Sequence, residues 1–376
     1  MLPHTNEEEF LFSCKQYYKD NLPQAVDRVT FSSEHLPGLY DFMNNSPIVT
    51  APANRIKKRP EMSLKRLSEL TGYPEVVSRS AFVFDTLICD EKTTIPFCVI
   101  SSKMIHSGNN PTQPYQNIIV VHDIFDSYIE FIATAKELLE ECGNTRFILF
   151  NYPGQSHTIY QKGQLLRPTH LTTILDKLLY RLSSHPQQLA VIGKEDSLKF
   201  LGLGVGGFLV ANFLSTCPAL HNMVQGVMLV NSPYHCTPKL KDMYKSLLEL
   251  FAVGDEVNEE NAFLFYSKAI GQQLEGEDLE AKAGLNSIRP QGRIYLMKSM
   301  LEYWHDEAIE GFQHYTGKVS LVYGRDNILM QKQDMQVWTS KRDAERTQLP
   351  LRVLVEVGGG HDLLNDNYDA LAKYVS

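Results

Sequence analysis

The sequence predicts an α/β protein built on a mostly parallel, eight-stranded sheet with helices on both faces. Three observations carry that prediction. Short runs of β-branched and aromatic residues recur from Ala81 to Val357. Most of these runs are continuously apolar, as strands buried on both faces are. Segments of helical period separate them, and strands alternating with helices build a doubly wound sheet.

The first two runs, AFVFDTLIC (81–89) and IPFCVIS (95–101), are close enough to pair as a hairpin across DEKTT. The others are NIIVVH (117–122), RFILFN (146–151), LKFLGLG (198–204), GVMLVN (226–231), KVSLVY (318–323) and LRVLVEV (351–357). YIEFIATAKELLEECG, LTTILDKLLYRLSS and QKQDMQVWTSKRDAE are amphipathic and read as helices. One interval, about 234–317, breaks the rhythm. It holds helical stretches such as PKLKDMYKSLLELFAVG and GRIYLMKSMLEYWHDEAIEGF but no strand pattern. An insertion of that size is expected to lie over the carboxyl ends of the strands as a helical cap. Residues 1–80 also lack the alternation and carry aromatic-rich pieces, FLFSCKQYYKD and LPGLYDFM. They read as an N-terminal extension to a main domain at 81–376.

Bulk properties narrow the function classes. The chain has 376 residues, 43% of them hydrophobic and 21% charged, which suits a globular domain with a sizeable core. A formal charge of −8 argues against nucleic acid or an anionic membrane as partner. The one dense basic run, Arg55, Lys57, Lys58 and Arg59, reads as a solvated loop. The six cysteines, Cys14, Cys89, Cys98, Cys142, Cys217 and Cys236, form no C-x-x-C pair and mostly lie in apolar stretches. That pattern implies reduced, buried thiols rather than a disulfide framework or a zinc site. The acidic start MLPHTNEEEF has the features of neither a signal nor a transit peptide. No apolar run approaches the ~20 residues of a membrane span. A cytoplasmic protein without cofactor or metal is expected.

Five turns carry the chemistry of such a sheet, and they occur in a telling order. VHDIFDS (121–127) follows the third strand, NYPGQSHT (151–158) the fourth and GLGVGG (202–207) the fifth. YGRDNIL (323–329) and GGGHDLL (358–364) follow the last two. Over residues 80–376 this order resembles the α/β-hydrolase superfamily. The resemblance implies that His122 and Asp123 stand at the oxyanion turn. It also implies that 202–207 is the nucleophile elbow, Asp326 the triad acid and His361 the base. The elbow lifts one side chain into the active site on a tight strand-to-helix turn. Here Gly202 and Gly206 frame the turn, and the nucleophile position is Gly204. Glycine offers no atom for an acyl-enzyme. Leu203 and Val205 are apolar, and the next hydroxyl and thiol, Ser215 and Cys217, lie two to three turns along the following helix.

The implied remainder is vestigial. Asp326 and His361, 35 residues apart, keep the family's chain order and are expected to form a structural hydrogen bond. Asp123 replaces the usual glycine of the oxyanion turn, and its carboxylate is expected to oppose charge developing there. The leading expectation is a hydrolase-fold protein without hydrolase activity. It would serve as a structural or protein-interaction module through residues 1–80 and the cap, with a cytoskeletal or flagellar assembly as candidate host. The vestigial pocket leaves room for a small ligand. Two rivals remain open. His361 alone could act as general base for a hydrolase or lyase without a serine. Gly202, Gly204 and Gly207 also satisfy the dinucleotide pattern G-x-G-x-x-G, but the next strand ends in Asn231 instead of the acid that would hold a ribose.

Overall fold

The structure is a computed structural model that describes residues 80–90, 93–102, 114–126, 144–153, 167–184, 195–252, 290–343 and 353–363, with scattered positions in 128–142, 192 and 266–270. Of the expected extension, 1–80, only Ser80 is described, as the first residue of a strand; the rest, with the basic run at 55–59, lies outside the described residues.

Eight strands form one sheet in the order β1-β2-β4-β3-β5-β6-β7-β8. They are β1 (Ser80–Asp90), β2 (Thr93–Ser102), β3 (Gln116–Val121), β4 (Thr145–Phe150), β5 (Ser197–Leu203), β6 (Val224–Val230), β7 (Lys318–Gly324) and β8 (Val353–Val357). β1 and β2 make the expected hairpin and β2 pairs antiparallel with β4. Every other pairing is parallel. The continuous apolar runs have the burial that a doubly covered sheet requires: Ile118, Ile119, Val120 and Val121 of β3 are all buried.

The helices follow from their residue spacing. In α1 (Pro168–Ser184), Leu171, Ile174, Leu175, Leu178 and Leu182 fall on one face and are buried. In α2 (Val205–Thr216) every residue from Val205 to Leu214 is buried, since the helix packs between the sheet and α1. Between β6 and β7 the described regular elements are helices: α3 (Pro238–Ala252), α4 (Pro290–Tyr303) and a 3-10 stretch, Asp306–His314. This insertion packs on α2 through Trp304, whose ring centroid is 5.1 Å from that of Phe208, and through Asn212, which donates to the Ala308 carbonyl. It also reaches the end of β3, where Tyr266 stacks on Phe125 at 4.1 Å. α5 (Lys332–Asp343) packs against β7 and β8.

A polar knot fixes the opposite, amino-terminal end of the sheet. Asp196, just before β5, accepts from the Tyr115 amide at 2.8 Å and from Arg146 at 3.1 Å. Asn117 donates to the same carboxylate, and the Arg146 guanidinium lies 3.6 Å over the Tyr115 ring. One carboxylate therefore sets the relative stagger of β3, β4 and β5 and, with it, the turns at their far ends. No helix among the described residues is long and apolar enough to cross a membrane.

Candidate functional site

The turns at the carboxyl ends of β3, β5, β7 and β8 converge on Gly204. That residue joins β5 to α2 with φ 51° and ψ −118°, a backbone that residues with a side chain rarely adopt. Two residues on, a Cβ at Gly206 would lie 1.9 Å from the Val121 carbonyl oxygen. The first turn of α2 thus rests directly on the end of β3. This close approach brings the β5 and β3 turns together.

The carboxylate of Asp123 fills the space in front of Gly204. A Cβ at Gly204 would fall 2.0 Å from Asp123 Oδ2. The backbone amides of Ile124 and Val205 donate to Oδ1 at 2.7 and 3.1 Å. Oδ2 lies 2.9 Å from His361 Nε2. One amide comes from the residue after the nucleophile position and the other from the turn after β3, the two sources of an oxyanion hole in this fold. Asp123 was expected to stand beside that hole and oppose its field. The geometry corrects this: the carboxylate occupies the hole and is stabilised by it. Burial pushes the Asp123 carboxyl up, but hydrogen bonding and charge from His361, with the Ile124 and Val205 amides, outweigh it and hold the group below the usual carboxylate range. The turn itself is braced. His122 Nδ1 bonds the Asp123 carbonyl at 2.7 Å, and the Tyr152 hydroxyl donates to the His122 carbonyl. His122 therefore shapes the turn, with its ring against Tyr152.

The expected pair of Asp326 with His361 does not form. Asp326 is exposed, and its carboxylate accepts the Gly359 amide at 3.2 Å while its own amide donates to the Gly359 carbonyl. It staples the β7 turn to the β8 turn. The next residue points inward instead: Asn327 Nδ2 is 3.2 Å from His361 Nδ1. Asn327 Oδ1 accepts the Leu329 amide at 3.0 Å, which orients the carboxamide with its NH2 toward the imidazole. The proton inventory then follows from the partners. Nδ1 accepts from Asn327, and Nε2–H donates to Asp123. In a hydrolytic triad the order is reversed: Nδ1–H faces a carboxylate and Nε2 takes the proton of the nucleophile.

Asn231 is a second residue that the sequence flagged only for what it lacks. Its φ is 47°, and its carboxamide binds three main-chain groups. Nδ2 donates to the carbonyls of Gly360 and His361 at 3.0 and 2.7 Å, and Oδ1 accepts the Gly324 amide at 2.9 Å. Asn231 thus holds the histidine turn in place, and its side chain is committed where a dinucleotide site needs a free acid. The remaining candidates are remote or unreactive. Ser215, late in α2, packs against Gly311 of the insertion. Burial pushes the Cys236 thiol up to about 12. The phenols of Tyr152, Tyr244 and Tyr266 are also raised by burial and by Asp123 nearby. No cluster of three or more His, Cys, Asp or Glu that could hold a metal ion occurs among the described residues.

Solved structures that superpose on this chain include enzymes of the α/β-hydrolase fold, and this chain has that fold. A bromoperoxidase of Bacillus anthracis superposes with a TM-score of 0.57 at 12% identity, covering 78% of this chain and 98% of its own. A carboxylesterase of the thaumarchaeon Nitrososphaera gargenis gives 0.55 at 14% identity, with 78% and 97% covered. The thioesterase domain from the curacin biosynthetic pathway gives 0.52 at 17%, with 78% and 99% covered. No protein-family model matches the sequence, and no curated protein is detectably similar to it.

Proposed function

We propose that this chain is a hydrolase-fold protein that carries out no acyl transfer and acts as a binding or structural module for other proteins. The observation that carries the reading is the Asp123 carboxylate, which takes both the volume of a nucleophile side chain at Gly204 and the two amides that would receive an oxyanion. Both oxyanion-hole amides are thereby withheld from a substrate carbonyl, and removing even one such donor costs about a hundredfold or more in rate. Fold and chemistry separate readily in this way, because the sheet is kept by its core. The segments that would serve a partner are residues 1–80, which carry local aromatic clusters such as FLFSCKQYYKD, and the helical insertion. The rival reading, His361 as general base, needs a free lone pair at Nε2. The Asn327 carboxamide favours the opposite tautomer, with the proton at Nε2.

The test uses the full chain with short acyl esters and a serine-directed fluorophosphonate. The expected outcome is no covalent label and ester cleavage no faster than that of the His361→Ala variant. Label on any residue of 198–217, or cleavage that disappears in His361→Ala, overturns the reading.

A further inference from the structure

The three donors around Asp123 form a complete carboxylate receptor. Ile124 and Val205 present amides to Oδ1, and His361 presents Nε2–H to Oδ2, all within 3.1 Å. Each donor is held by something other than Asp123. The Val205 amide belongs to the first turn of α2, where the helix N-terminus favours negative charge. His361 is fixed on its other side by Asn327 and through its backbone by Asn231. Only the Ile124 amide belongs to the turn that carries Asp123, and that turn has its own brace: the Asp126 amide bonds the Asp123 carbonyl at 3.1 Å, and Tyr152 bonds that of His122.

From this independence we infer that the site is a preformed receptor for a small carboxylate, occupied by a side chain of its own chain. Removing that side chain opens it to an external ligand of formate or acetate type. The inference rests on the proposed reading of Asp123 as occupant and adds the ligand class that the emptied site takes. The chemistry selects a planar, singly charged carboxylate, because one oxygen needs two amides and the other a single N–H, the pattern that Asp123 itself satisfies. Halides lack the second acceptor, and the glycine at 204 leaves the volume free for the ligand's carbon.

The experiment compares melting temperatures of full-length wild type and Asp123→Gly in sodium formate and in sodium chloride at equal ionic strength. The variant is expected to melt lower than wild type in chloride. Formate is expected to raise it saturably by a few degrees, the size that millimolar binding produces at about 100 mM ligand. Wild type is expected to show no difference between the salts. In Asp123→Gly/His361→Phe, the formate concentration for half-saturation should rise by roughly tenfold or more, as loss of a charge-assisted hydrogen bond predicts. A variant that responds equally to formate and chloride overturns the proposal, as does a wild type that responds to formate as strongly as the variant does. If Asp123→Gly fails to fold in chloride, refolding yields of Asp123→Ala in the two salts decide the matter. Equal yields overturn the proposal and a formate-dependent yield supports it. Failure here leaves the non-catalytic reading intact, since that reading is decided by probe labelling and ester cleavage.

Discussion

Gly204 and Asp123 exclude one another's alternatives. The glycine has no Cβ, and the volume that a Cβ would enter is held by Asp123 Oδ2 at 2.0 Å from it. A serine at 204 therefore cannot coexist with the carboxylate in its present place. Three groups bear on that carboxylate, the Ile124 and Val205 amides and His361, within low-dielectric surroundings. Gly204→Ser is expected to gain no esterase activity. It should lose about 2–4 kcal/mol of stability, through displaced hydrogen bonds and a side chain at positive φ. Adding Asp123→Gly should recover part of that loss, giving a coupling of at least about 1 kcal/mol in a double-mutant cycle measured by urea unfolding. Strictly additive changes would mean that the two sites do not share this space.

The contrast between fold and site shows what a sequence exposes. The parallel strands were legible because a strand buried on both faces is written as one local apolar run, as in QNIIVV of β3, and the antiparallel pair β1 and β2 because two β-rich runs flank a short turn. The site is made by contacts between distant turns, and those leave no local mark. Asp123 meets His361 across 238 positions and Val205 across 82. Asp326 and Asn327 are neighbours in one turn, and which of them faces the histidine depends on the turn's backbone, not on residue type. Asn231 could have been flagged by a single signal, a carboxamide directly after a buried strand, where a positive φ is tolerated. Replacement of glycine by aspartate at 123 and of serine by glycine at 204 were each visible as departures from a resemblance. Their compensation was visible only in space.

Acid should report on Asp123 in a defined direction. Its folded-state pKa lies below the ordinary carboxylate value of about 3.9. The stability contributed by its ionisation is therefore fully present above that ordinary value and is lost as pH falls through the lower, folded one. In the acid range below about pH 4 wild type should lose stability more steeply than Asp123→Asn, by up to about 1.4 kcal/mol per pH unit, the limit for one proton. Urea midpoints measured across that range test the difference. Parallel acid limbs would mean that Asp123 is not held ionised by its neighbours.

The proton on His361 gives the sharpest test of the non-catalytic reading proposed for this site. Asn327 donates to Nδ1 and is itself oriented by the Leu329 amide, so the neutral ring carries its proton at Nε2, facing Asp123. Long-range proton–nitrogen NMR distinguishes the two neutral tautomers, and the neutral ring of wild type should give the Nε2–H form. Asn327→Asp places a carboxylate at Nδ1 while Asp123 remains at Nε2. An imidazole with one proton can satisfy only one of two flanking carboxylates, so the single-tautomer signature of wild type should be lost. The variant should still cleave no esters, because neither a nucleophile nor a free oxyanion site is created. A wild-type ring protonated at Nδ1 would contradict the assigned orientation of Asn327. It would also leave Nε2 free to act as a base.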